Sequence, residues 1–159
     1  GTLLMDLFTA REEARDAVTA EMRFDIDLLA DRLVDAWRYT RASSGLNKLA
    51  VGFFGASTGA AAALVAAARI GEELRAVVSR SGRTDLAGTA LPHVRAATLL
   101  LAGSLEPEVV ALNRASLAEM ETTKKLVVVP GASRTFQEPG ALQHVARLAS
   151  GWFQIHLPA

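Results

Sequence analysis

Five short apolar runs alternate with segments whose apolar residues recur at helical spacing. Thr2–Leu7 is the first run, ends at polar residues and reads as a buried strand. Ala10–Arg23 is charged and irregular, which suits a loop or a short exposed helix. Asp25 can cap a helix reaching about Arg41: Ile26, Leu29, Leu33 and Trp37 fall on one face, and Asp27, Asp31, Arg32, Asp35 and Arg38 take the other. Lys48–Phe54 reads as a second strand, apolar on both faces, and Gly55–Gly59 as a small-residue turn. An Ala-rich helix follows over Ala60–Arg69 and stops at Gly71. Leu74–Ser79 is a third strand, Arg80–His93 a polar loop and Ala97–Ala102 a fourth strand. Pro107 opens a helix to about Glu121 with Val109, Val110, Asn113, Leu117 and Met120 inward. Lys125–Val129 is the fifth strand and Gly131–Glu138 a loop. Pro139 opens the last helix, with Leu142, Val145, Ala149 and Trp152 as its buried stripe.

Strands that are apolar throughout, alternating with helices, predict a parallel sheet covered on both faces. The expected architecture is therefore a three-layer α/β fold, a mostly parallel sheet of about five strands with helices on both faces.

Composition narrows the class. The chain has 159 residues, 17 basic and 17 acidic side chains and no cysteine. That length suits one domain spanning 1–159. Zero net charge without a basic run argues against nucleic acid as a partner. No apolar stretch is long enough to span a membrane, and the expected setting is the cytoplasm. No motif calls for a cofactor or a metal; Gly-Lys-Ser/Thr after a turn and G-x-G-x-x-G are both missing.

The chemistry concentrates in Gly55-Ala56-Ser57-Thr58-Gly59, a G-x-S-x-G between a strand and a helix. In a nucleophile elbow, the sharp turn holds its serine in a strained backbone conformation and needs small neighbours two positions away. Gly55 and Gly59 meet that need, Ser57 takes the nucleophile position, and the Thr58 amide can donate to an oxyanion. The plainer account is a tight strand–helix turn without chemistry.

At this point the chain resembles the α/β-hydrolase superfamily in its dienelactone-hydrolase-like branch, specifically the domain found joined to phosphoribosyltransferase domains in actinobacterial proteins. The likeness rests on Leu4-x-Asp6-Leu7, Arg23-Phe24-Asp25-Ile26, Gly55-Ala56-Ser57-Thr58-Gly59, Val78-Ser79-Arg80-x-Gly82-Arg83 and Pro130-Gly131-Ala132. It implies a catalytic acid after the fourth strand, where Glu106 stands, although the family more often has Asp. Glu106 also suits a plain helix N-terminal charge beside Pro107. The resemblance further implies a catalytic His after the last strand, and the matching residue is Arg134. Arginine carries donors only and stays protonated, so it cannot take a proton from Ser57. His93, His144 and His156 all lie elsewhere in the chain order. The family's second oxyanion loop follows an earlier strand and has no counterpart here, so the chain is expected to be a piece of a longer protein lacking the early strands.

Two readings follow. One is a hydrolase-fold domain with a degenerate triad, weakly active or inactive, that binds a small anion through Arg80, Arg83 and Arg134 or serves as an accessory unit. Against the anion site stands the pairing of each arginine with Asp85, Glu106 or Glu138. The alternative is an active serine esterase with an atypical base. A flavodoxin-like nucleotide domain would need an acidic cluster at the strand ends, and Asp6 alone does not make one. With an early strand absent, either Thr2–Leu7 pairs directly into the sheet or another chain fills the gap. The expected partners are a second copy, a missing N-terminal segment or a phosphoribosyltransferase domain.

Overall fold

A computed structural model describes residues 1–157. Four parallel strands, β1 (Val51–Ala56), β2 (Leu74–Arg80), β3 (Ala97–Gly103) and β4 (Lys124–Val129), form one sheet in the order β1-β2-β3-β4. The helices are α1 (Ala10–Thr19), α2 (Ile26–Ala42), α3 (Thr58–Ile70), α4 (Pro107–Glu119) and α5 (Ala141–His156). The α/β class is as expected, with four strands in place of five.

The missing strand is Thr2–Leu7, which is apolar but unpaired, with Leu3 and Leu4 63% and 94% exposed. A strand exists only where its backbone finds a partner edge. Here the chain is diverted. The Leu7 carbonyl accepts from the Arg32 guanidinium on α2, and Thr9 then caps α1 through a capping box with Glu12. Arg32 also clasps Glu12 at 2.5 and 2.9 Å. Ala10–Arg23 is thus mostly helix, closed by a 3-10 turn at Met22–Phe24. Asp16 is buried and receives the Arg23 amide at 3.0 Å and guanidinium at 2.7 Å.

Two apolar clusters flank the sheet. Val77, Leu100 and Leu74 meet α2, α3 and the end of α4 on one face, where Leu64, Ala30 and Met120 are buried. Val78, Leu99 and Leu101 meet α5 on the other, with Phe136, Val145 and Ala149. The all-alanine stretch of α3 lets that helix lie close: Ala60 through Ala63 are at most 1% exposed. Asp25 caps α2 as its sequence suggests, accepting from the Leu28 amide at 3.0 Å.

Two local expectations need correction. The polar Arg80–His93 stretch contains 3-10 turns over Thr84–His93, broken at Gly88 with φ 46°. Leu142 is 48% exposed, because the buried line of α5 runs through Ala141, Val145 and Ala149. One residue off that line is rotated by about 100° on a helix. Trp152 remains partly buried and donates to the Ala97 carbonyl at 3.0 Å.

Candidate functional site

The carboxyl ends of the strands carry the chemistry-bearing residues. Ser57 follows β1 and caps α3 with φ 50° and ψ −125°. A non-glycine residue held there stores roughly 1–3 kcal/mol of strain, sustained only by its surroundings. Gly55 makes the turn possible, since a Cβ on it would lie 2.5 Å from the Gly59 carbonyl oxygen and 2.8 Å from the Ala60 Cα. Gly59 differs from expectation: a Cβ there meets open space. Gly59 presses on Gly55 with its backbone, so the steric demand falls on Gly55 alone.

Segment 80–83 closes onto the same turn. The Ser57 amide donates to the Arg80 carbonyl at 3.4 Å, and the Arg83 amide donates to the Ser57 carbonyl at 3.0 Å. Thr58 opens α3, and the first amides of a helix have no partner within it. The Ser57 side chain makes no capping bond to them.

Arg134 comes from the far side. β1 and β4 are opposite edges of the sheet, so the loop after β4 must cross over the end of β3. Gly103 allows the crossing: a Cβ on it would lie 2.2 Å from the Ala132 carbonyl oxygen and 2.6 Å from that of Ser133. The Leu105 amide donates to that Ala132 carbonyl at 3.0 Å, and the Gly131 amide to the Ser104 hydroxyl at 2.8 Å. Phe136, fully buried, pins the loop beyond the crossing. Arg134 Nη2 then donates to Ser57 Oγ at 3.2 Å.

The remaining candidates divide. Arg83 is held by Asp85 through three contacts of 2.8 to 3.2 Å. The Arg83 hydrogen bonds hold the Asp85 carboxyl below its ordinary range, and Asp85 raises the Arg83 guanidinium in return. Arg80 ends β2 on the same face as Val78, toward α5. Glu106 caps α4 with no side-chain capping bond, and among the described residues no ion pair joins it to Arg134. Glu138 likewise forms no ion pair with an arginine among the described residues.

Among the described residues, no histidine has a hydrogen bond or ion pair with Ser57, Glu106 or Arg134. His93 precedes β3, His144 lies beside Arg147 on α5, and His156 packs on Trp152 with ring centroids 4.4 Å apart. Trp152 reaches Ala97 at the opposite end of β3 from Gly103, which places His156 at the far end of the sheet.

Comparison with known proteins fits this architecture. A crystal structure described as a dienelactone hydrolase from Anabaena variabilis is 53% identical, with a TM-score of 0.93 over 96% of this chain and 70% of that one. The chain belongs to the dienelactone hydrolase-like α/β hydrolases. The fold alone is shared with a crystal structure described as a dienelactone hydrolase-like promiscuous phosphotriesterase from metagenomic libraries, 17% identical with a TM-score of 0.66 over 94% of this chain and 70% of that one. Two curated proteins from Mycobacterium tuberculosis strains, provisionally named phosphoribosyl transferases, are each 49% identical over 98% of this chain. The chain spans about a third (34%) of their length. No protein-family model matches the chain.

Sequence reasoning missed the demand on Gly103, and it did not single out which arginine Asp85 holds or what Asn113 reaches. Gly103 carries no local signal, because its need arises from a loop 29 positions further on (103 to 132). Asp85 is one of the candidate arginine partners, and its bond to Arg83 removes that arginine from the free cations. Asn113 was visible as a polar residue on the inward face of α4, and its target is Gly82.

Among the described residues, no helix is long and apolar enough to cross a membrane.

Proposed function

We propose that this dienelactone hydrolase-like domain is a binding or accessory unit with weak or no serine-hydrolase turnover. In this reading Ser57 occupies the nucleophile position, Glu106 the acid position, and the Thr58 amide the oxyanion position. The observation that carries it is the Arg134 guanidinium donating to Ser57 Oγ at 3.2 Å. A base must accept the seryl proton, and guanidinium has no acceptor. Loss of a triad histidine costs on the order of 10⁶ in turnover in the serine-protease case. An ester panel and a fluorophosphonate probe test this directly. Negligible cleavage is expected, and rapid stoichiometric labelling of Ser57 overturns the reading.

The ligand class follows from the charges. Ser57 Oγ accepts from Arg134, so its own hydroxyl proton is available to a ligand. Arg134, Arg80 and the first amides of α3 supply further donors, while Arg83 is already neutralised by Asp85. A small carboxylate or phosphate fits this set. The strained backbone of Ser57, with φ 50°, favours one other reading, an active serine esterase with an atypical base. Arg134→His separates them: new ester cleavage that Ser57→Ala abolishes marks a decayed enzyme, and wild-type cleavage abolished by Ser57→Ala marks an active one.

Partners are part of the proposal. β1 is an edge strand of sequence Val-Gly-Phe-Phe-Gly-Ala, without the charge or proline that protects such edges, and Phe54 is 50% exposed. A second copy, an N-terminal segment or a phosphoribosyltransferase domain of the same protein would cover it in a cytoplasmic assembly. A monodisperse monomer in light scattering counts against self-association.

A further inference from the structure

We infer that Asn113 is the positioning residue of the Ser57 turn. The inference rests on reading that turn as the working site, and it does not depend on whether Ser57 reacts. Asn113 lies on α4 and is fully buried. Its amide nitrogen donates to the Val109 carbonyl of its own helix at 2.8 Å and to the Gly82 carbonyl at 2.9 Å.

Gly82 belongs to segment 80–83, which holds both backbone groups of Ser57 through the Arg80 carbonyl and the Arg83 amide. That segment is wedged tightly. A Cβ on Gly82 would lie 2.2 Å from Ser79 Oγ and 2.7 Å from the Ala60 Cβ, so its backbone already touches α3. The Ser81 amide ties to the Leu101 carbonyl at 2.8 Å with Ser81 itself at φ 44°. Ser57 and Ser81, which follow the paired strands β1 and β2, thus both hold positive φ as non-glycine residues. Strained backbone persists where the surroundings over-determine it. β3 braces the segment at Ser81, α3 braces it at Gly82, and Asn113 supplies the clamp from α4.

Stability alone does not account for an asparagine at this position. Asn113 Oδ1 is buried without a hydrogen-bond partner among the described residues, which carries a desolvation cost that an apolar side chain of similar size avoids. The nearby Thr84 hydroxyl already joins the same loop to α4 through Ser116 at 2.9 Å. The specific work left for Asn113 is to set the height of the Gly82 carbonyl, and through it the two hydrogen bonds to Ser57.

Amide NMR on the whole chain tests this, with Asn113→Leu as the isosteric variant and Thr84→Val as the control for general loosening. In Asn113→Leu, the Ser57 and Thr58 amide resonances are expected to move and Arg83 amide exchange to quicken about tenfold, the worth of one net hydrogen bond. The β4 amides stay unchanged, and Thr84→Val lowers Tm without moving Ser57. Should Asn113→Leu not fold, Asn113→Ser, too short to reach Gly82, gives the same readout. Wild-type Ser57 and Arg83 signals in the Asn113 variant, or equal shifts in Thr84→Val, overturn the inference. Titration of the wild type with inorganic phosphate reports separately on the anion reading, so either can fail alone.

Discussion

Arg134 Nη2 and Ser57 Oγ meet at 3.2 Å although 77 positions separate them in the chain. The contact joins the loops after the two opposite edge strands, and it makes the serine an acceptor toward a permanent cation. A ligand anion placed there takes a hydrogen bond from Ser57 and charge from Arg134. Arg134→Ala should therefore weaken phosphate or carboxylate binding by about 10- to 100-fold, the range for a charged hydrogen bond. Arg134→Lys should fall between, keeping charge and losing the planar fork. Isothermal titration measures both, and equal affinity in all three proteins rejects the site.

Releasing Arg83 should act in the opposite sense. Asp85 holds that guanidinium in a bidentate pair with contacts of 2.8 to 3.2 Å. Asp85→Asn removes the negative charge while keeping the shape, which adds a cation beside the Ser57 turn. Phosphate affinity is expected to rise severalfold at low ionic strength, and the gain should fade as added salt screens it.

Gly103 carries the crossing of the 130–136 loop. Gly103→Ala puts a methyl 2.2 and 2.6 Å from the Ala132 and Ser133 carbonyl oxygens. Backbone has to move, and a cost of about 1–3 kcal/mol is expected from overpacking. Urea midpoints measure it. The phosphate affinity should fall in the same variant, because Arg134 is displaced with its loop.

Acid should loosen the N-terminal arm before the sheet. The Arg32 hydrogen bond, with those from Thr9, lowers Glu12 to about 2 from its ordinary 4.5. Burial pushes the Asp16 carboxyl up, but the amide and guanidinium of Arg23 outweigh it and hold it below its ordinary 3.8. A depressed folded pKa contributes stability above the unfolded value and loses it as pH falls through the folded one. The Glu12 contribution is thus complete above pH 4.5 and fades toward about 2. Amide exchange of α1 should quicken over that window while β2 and β3 stay protected. Glu12→Gln should remove most of that pH dependence; an unchanged profile rejects the clasp.

How much was legible beforehand depended on whether the signal was local. The runs at Lys48–Phe54, Leu74–Ser79, Ala97–Ala102 and Lys125–Val129 were readable because they are largely apolar, as a sheet covered on two sides requires, although the first strand begins only at Val51, after turns and a bend through Leu49. Thr2–Leu7 carries a similar apolar run and forms no strand, since pairing depends on an edge and Arg32 holds Leu7 elsewhere. The spacing of Leu142 to Val145 reads as buried, but packing turns Ala141 inward in its place. Gly55 had a local reason to be small, whereas the reason for Gly103 comes from Ala132.

The amino-acid order alone determined the alternation of strands and helices, the tight turn at Gly55–Gly59 and the donor-only chemistry of Arg134. These rest on properties that a residue and its near neighbours carry with them: burial pattern, backbone freedom and ionisation. Only the tertiary structure decided that Arg134 reaches Ser57, that Asp85 occupies Arg83 and that Asn113 braces Gly82. Those pairs form where distant segments are packed into one another's reach, and contact across a folded sheet leaves no period or motif in the chain to read.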